Sequence, residues 1–229
     1  MKRYIKTFFI IVLGFGLLFS FLYKNYNTTF AQNNINKTII IDAGHGGFDS
    51  GAIAFDNTLE KDLNLSISKK LESVLSVYGY NIILTRDSDN PVSINTNDSS
   101  VTKSQDMNSR VEIMKQYPDA IFISIHQNKF SEEYVKGFQT FYNNNANSKL
   151  LAESIQDSVV SNLQPSNHRV AKEDDRDVYI LKNATIPAVI IECGFMSNNE
   201  ELRLLKEENY QNQLAITIAD GILNFYNNS

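Results

Sequence analysis

Apolar residues follow two rhythms along this chain, and the rhythms alternate. Thr38-Ile39-Ile40-Ile41-Asp42 is a β-branched run opening into the glycine-rich Ala43-Gly44-His45-Gly46-Gly47, which predicts a buried strand delivering a loop. Over residues 59–77, Leu63, Ile67, Leu71, Val74 and Leu75 recur at helical spacing and Gly79 ends the pattern, so an amphipathic helix starts near Glu60. Residues 81–85 predict a second strand, 87–104 a polar loop, and 105–117 a second helix stopped before Pro118. Residues 120–126 predict a third strand ending in histidine, 138–142 a fourth, and 148–163 a helix followed by a charged loop over 164–177. Two further strands are predicted at 178–181 and 188–192, then closing helices at 199–208 and 210–226. Alternating helices and near-continuous apolar strands predict an α/β sandwich with a largely parallel or mixed sheet.

The extreme N-terminus breaks this pattern. Residues 8–23 are apolar apart from Gly14, Gly16 and Ser20, and Lys2, Arg3 and Lys6 precede them. Basic residues ahead of an apolar stretch are the signal for export or anchoring. Thr29-Phe30-Ala31 offers a small-residue cleavage site, so residues 1–31 read as a signal peptide or membrane anchor. The polar, Asn-rich stretch up to Lys37 reads as a tether, with 32–37 left as linker after cleavage and the domain covering 38–229. The chain is therefore expected outside the cytoplasm, anchored or secreted.

Composition narrows the chemistry. The 229 residues carry a formal charge of −5; setting aside the three N-terminal bases leaves 18 basic against 26 acidic residues, a net of −8. That balance disfavours nucleic acid as a partner, because non-specific phosphate binding needs clustered Lys and Arg. One cysteine, Cys193, excludes a disulfide framework and a thiolate metal cluster. Any metal must then be held by His and carboxylate.

Ligands of open α/β sheets gather at the carboxyl ends of strands, where the sequence places His45, His126 and Glu192. Glu60, opening the first helix, joins them if residues 46–59 fold back over the sheet. Hydrolytic zinc takes three N or O ligands, keeps a position for water and uses a nearby carboxylate as base. His45, Glu60 and His126 fit the ligands and Glu192 the base. Each also has a plainer reading: a hydrogen-bonded rim histidine, a carboxylate stabilising a helix N-terminus, a buried carboxyl. Asn128 is a candidate for substrate or loop contact, and His168 for the substrate's edge. Arg86 is a candidate for a peptide carboxylate or a structural ion pair, and Arg110 is open in the same way. Cys193 beside Glu192 also admits a thiol nucleophile paired with His126, or a small buried residue.

The motifs themselves are familiar. Ile41-Asp42-Ala43-Gly44-His45-Gly46-Gly47-Phe48-Asp49-Ser50-Gly51-Ala52, Glu60-Lys61-Asp62-Leu63-Asn64-Leu65, Thr85-Arg86, Ser124-Ile125-His126-Gln127-Asn128 and Glu192-Cys193-Gly194-Phe195-Met196-Ser197-Asn198 closely resemble, in order, the zinc-dependent N-acetylmuramoyl-L-alanine amidases of the third amidase family. The resemblance covers residues 38–226. It implies a three-layer fold with a twisted, mixed, mostly parallel six-stranded sheet, Zn²⁺ on His45, Glu60 and His126, and Glu192 as general base. It also implies cleavage of the amide joining the muramic acid lactyl group to L-alanine in peptidoglycan. Two features depart from the family. A late Asn-Arg-Gly-like sequence is replaced by Asn167-His168-Arg169-Val170 and then Glu173-Asp174-Asp175-Arg176-Asp177. No wall-binding repeat is visible, so wall targeting falls to the N-terminal segment or a partner protein, and a protein activator is an open possibility. A short, anchored member of this kind looks like the spore-cortex branch, which works with a peptidoglycan deacetylase toward muramic-δ-lactam, in the space between the forespore membranes. The competing readings are a catalytically silent wall-binding or regulatory module of the same shape, and a zinc hydrolase cutting another bond.

Overall fold

A computed structural model describes residues 37–93 and 101–228. The expected export segment, cleavage site and tether lie outside the described residues. The strands are β1 (Thr38–Ala43), β2 (Asn81–Leu84), β3 (Ile121–Asn128), β4 (Gln139–Tyr142), β5 (Lys172–Glu173) and β6 (Ala188–Phe195). The helices are α1 (Glu60–Val77), α2 (Lys103–Gln116), α3 (Ala146–Asn162), α4 (Tyr179–Asn183), α5 (Asn199–Lys206) and α6 (Glu208–Asn228). The six strands form one sheet in the order β2-β1-β3-β6-β4-β5. Every neighbouring pair is parallel except β4 with β6.

Side-chain alternation sorts the sheet into two buried faces. Ile39, Ile41, Ile123, Ile125, Val189 and Ile191 join the core under α1, α3 and α6, whereas Ile40, Phe122 and Ile190 join the smaller core that includes Val111 and Met114 of α2 and Ile180 and Leu181 of α4. Burial on both faces explains why these strands read as unbroken apolar runs. Counting on by two from Ile40, Phe122 and Ile190 gives Asp42, Ser124, His126 and Glu192. The α2/α4 face thus changes from apolar to polar at the carboxyl ends of three adjacent strands, and His126 lies directly across from Glu192 in the β3–β6 register.

Two elements differ from the sequence reading. Residues 178–181, Val-Tyr-Ile-Leu, suggest a strand, yet Tyr179–Asn183 is the short helix α4. Both edges of β6 are already filled, by β3 and β4, so this segment must lie across the sheet face, where a helix lets consecutive Ile180 and Leu181 both be buried. The charged loop also contains β5, exposed and pairing Lys172 with Phe141 and Glu173 with Tyr142. Its two residues carry no apolar pattern to announce it.

Candidate active site

The loop after β1 approaches β3 so closely that a Cβ on Gly44 would lie 2.2 Å from Nε2 of His126, a place only glycine can take. His45 follows with φ +62°, an uncommon conformation for a residue with a side chain. Arg110 of α2 holds it there, its Nη2 donating to the His45 carbonyl at 2.8 Å. The same guanidinium pairs with buried Asp42 and with Asp106. Asp42 also accepts from Ser124 and Thr85. This network ties the ends of β1 and β3 to α2.

The loop over residues 46–59 does fold back. Ala52 N donates to Glu60 Oε2 at 2.7 Å and Gln127 N to Oε1 at 3.1 Å, which turns the carboxylate toward the histidines. Glu60 Oε1 lies 2.9 Å from His126 Nδ1 and 3.3 Å from His45 Nε2. One ligand atom from each residue lies within 4.8 Å of the others. The second ring nitrogen of His45 is 3.0 Å from Asp49 Oδ2, the outer carboxylate that commonly orients a metal-ligating histidine. Two imidazole nitrogens and one carboxylate oxygen, with such support, form a site able to hold a divalent transition metal.

The electrostatics agree with that arrangement. Burial pushes the Glu60 carboxyl up, but hydrogen bonds and charges from His126 and His45 outweigh it and hold the group well below the usual carboxylate range. Burial lowers His45, and Glu60 and Asp49 more than reverse this, so the imidazole is raised. Asp49 is held at about 2, because the His45 and Gly51 hydrogen bonds overcome its partial burial. Glu192 is the opposite case. Burial, aided by the nearby Glu60 charge, raises it despite His126 and Arg176. Its Oε1 lies 3.5 Å from Arg176 Nη1, and its Oε2 is buried with no hydrogen-bond partner among the described residues. A cavity of about 200 Å³ adjoins the two histidines, with Met107, Val178, Ile180 and Ile190 among its walls.

The remaining candidates fall elsewhere. Arg86 is 5% exposed and donates to the carbonyls of Ala43, Gly44, Lys61 and Ser88. It braces the loop after β1 and is not free to meet a peptide carboxylate. His168 is exposed and lines a separate cavity of about 480 Å³ with Gln164, Asn167 and Tyr210, and none of His45, Glu60, His126 or Glu192 borders it. Asn128 ends β3 at the rim, where its carbonyl accepts from Met196 N at 2.7 Å. Cys193 is fully buried in the α1/α6 core, and burial pushes its thiol up, so it offers no thiolate to His126. Sequence reasoning missed Asp49 and Arg176; Asp49 lies four residues after His45, but a loop carboxylate at that spacing has many other uses.

Comparison with known proteins settles the family. The sequence profile described as N-acetylmuramoyl-L-alanine amidase matches residues 39–224. The chain belongs to this family. A germination-specific N-acetylmuramoyl-L-alanine amidase of Bacillus subtilis is 33% identical over 222 residues, covering 94% of this chain and 92% of the relative. The N-acetylmuramoyl-L-alanine amidase LytC of the same organism is 32% identical over 84% of this chain but only 36% of its own length. Among solved structures, the CwlD amidase of Clostridioides difficile, determined in complex with the GerS lipoprotein, superposes with a TM-score of 0.78 at 40% identity. That match covers 85% of this chain and all of that one. The expected six-stranded, mostly parallel fold and amidase activity are thus both established. Peptidoglycan, the amidase's substrate, lies outside the cytoplasm, so the enzyme acts there.

Proposed function

We propose that the amidase uses one zinc ion, which His45, Glu60 and His126 would hold, with Glu192 as general base. The observation that carries this reading is the convergence of one ligand atom from each of these three residues within 4.8 Å, beside a buried glutamate whose Oε2 has no hydrogen-bond partner among the described residues. Zinc, when bound, acidifies a coordinated water and polarises the scissile carbonyl. Glu192 accepts the water's proton at Oε2 and returns it to the departing L-alanine nitrogen, so the amide opens into a lactyl carboxylate and a free amine. Asp49 fixes the ring of His45, and Asn128 stands at the rim as a substrate contact.

The reading extends to the spore cortex. The Bacillus subtilis relative, named as germination-specific, matches nearly end to end. The CwlD match was determined in complex with a lipoprotein partner, which supports a protein partner for this enzyme too. On this reading the N-terminal segment anchors it near the forespore, where a deacetylase acts on the same glycan toward muramic-δ-lactam. Zinc content of the full chain, paired with mass spectrometry of muropeptides from vegetative sacculi and from cortex, tests the whole. About one zinc per chain, free L-alanine amino termini on intact glycan and faster release from cortex are expected. New glucosamine or a shortened peptide would replace the amide assignment, and equal rates on both walls would remove the cortex role.

A further inference from the structure

The segment where this chain departs from the family pattern is firmly built. Beyond β5, Asp174 N donates to Tyr142 O at 2.8 Å. The Asp174 carboxylate, 4% exposed, accepts from Val178 N at 2.9 Å and Arg176 Nε at 2.8 Å. Asp177 takes φ +57°, a left-handed turn that aspartate tolerates better than most residues, and leads into α4. Arg176 leaves this turn with its guanidinium 4.1 Å from the centre of the Phe141 ring, within cation–π range. Its Nη1 ends 3.5 Å from Glu192 Oε1. Asp174 and Phe141 therefore fix one arginine beside a carboxylate whose other oxygen is buried and has no hydrogen-bond partner among the described residues.

Glu192 needs such an arrangement. A carboxylate's last torsion is broad and roughly two-fold, so by itself the group can present either oxygen to a neighbour. A cation held against Oε1 breaks that symmetry and leaves Oε2 as the free acceptor. It also offsets the like charge of Glu60 across the metal site.

We propose that Arg176 is a positioning residue for the general base, holding Oε1 of Glu192 so that Oε2 is the oxygen that takes the proton. This rests on Glu192 being the base, and the test separates the two. In the full-length, zinc-loaded enzyme assayed on muropeptides, Arg176→Ala is expected to lower kcat about 10- to 100-fold, the usual scale for an outer partner of a catalytic group. KM should stay within about twofold and zinc at one per chain. In a Glu192→Gln background, Arg176→Ala should change the residual rate less than about twofold, because its effect runs through the carboxylate. The proposal is overturned by any of three results: kcat of Arg176→Ala within about twofold of wild type, a rise in KM with kcat unchanged, or an equal loss in the Glu192→Gln background. Glu192→Gln retaining full activity would overturn the base assignment itself, before any arginine variant is made.

Discussion

Two glutamates serve one site, and their surroundings push them in opposite directions. Both are buried, which by itself disfavours their charge. Glu60 receives hydrogen bonds from His126 and His45 and stays ionised far into acid, as the role of metal ligand proposed for it requires. Glu192 meets the His126 charge and one contact from Arg176, and these do not outweigh its burial, so its carboxyl is raised above the ordinary 4.5. Groups whose environments separate their proton affinities in this way mark acid–base assignments. The pH dependence has a definite sign: a base works ionised, so kcat falls as pH drops through the raised Glu192 value. With zinc saturating, the acid limb of the kcat profile is expected to disappear in Glu192→Gln, which should keep its zinc while kcat drops about 10²- to 10⁴-fold. A limb that persisted in Glu192→Gln would assign it to another group, and loss of zinc from Glu192→Gln would make Glu192 a ligand.

The elements matter because they carry His45 into an unfavourable backbone conformation and hold it there. Arg110 is 1% exposed and spends its donors on Asp42, Asp106 and the carbonyls of Ala43 and His45. Removing it leaves the Asp42 charge buried between β1 and β3, a situation that costs about 3–5 kcal/mol. Arg110→Met is expected to lose that much stability in urea denaturation and to bind zinc more weakly, since the His45 carbonyl loses its donor. A loss under about 1 kcal/mol would mean that Ser124 and Thr85 alone satisfy Asp42. The same elements show what a sequence can reveal. β1, β3, β6 and α1 are legible because local pattern and burial agree, and His45, His126 and Glu192 are legible because they end those strands. Arg110 stays ambiguous in sequence because its partner, Asp42, lies 68 residues away. A lone charge inside an apolar strand demands a partner without saying which. α4 is misread because strand propensity in Val-Tyr-Ile-Leu is overruled by a sheet with no free place beside β6. Arg86 reads in sequence as a binder of a peptide carboxylate or half of an ion pair, until the carbonyls of Ala43, Gly44, Lys61 and Ser88 are seen to close around it.

At the scale of the whole molecule, the three side chains proposed to hold the metal come from the loop after β1, the first turn of α1 and the end of β3, so an ion there would tie three separate parts of the chain together. Binding that exists only in the folded state stabilises it by mass action, about 2.7 kcal/mol when free zinc is 100 times Kd. For a domain of this size each kcal/mol moves Tm by about 2–4 °C, so chelation should lower Tm by roughly 5–11 °C and added zinc should restore it. Magnesium should not restore it, because two of the three donors are imidazoles. The drop should also depend on pH. In the metal-free site His45 is raised by Glu60 and Asp49 above its ordinary 6.5. A raised folded value contributes stability below 6.5 and loses it as pH rises through that value. Zinc competes with the same proton and binds more tightly as the proton leaves. Both effects run in one direction, so the gap in Tm between zinc-loaded and chelated enzyme should widen from pH 6 to pH 8.5. Calorimetry with and without chelator at the two pH values measures it. A gap that narrowed instead would mean that the proton and the metal do not share His45, and that the ion sits on other residues.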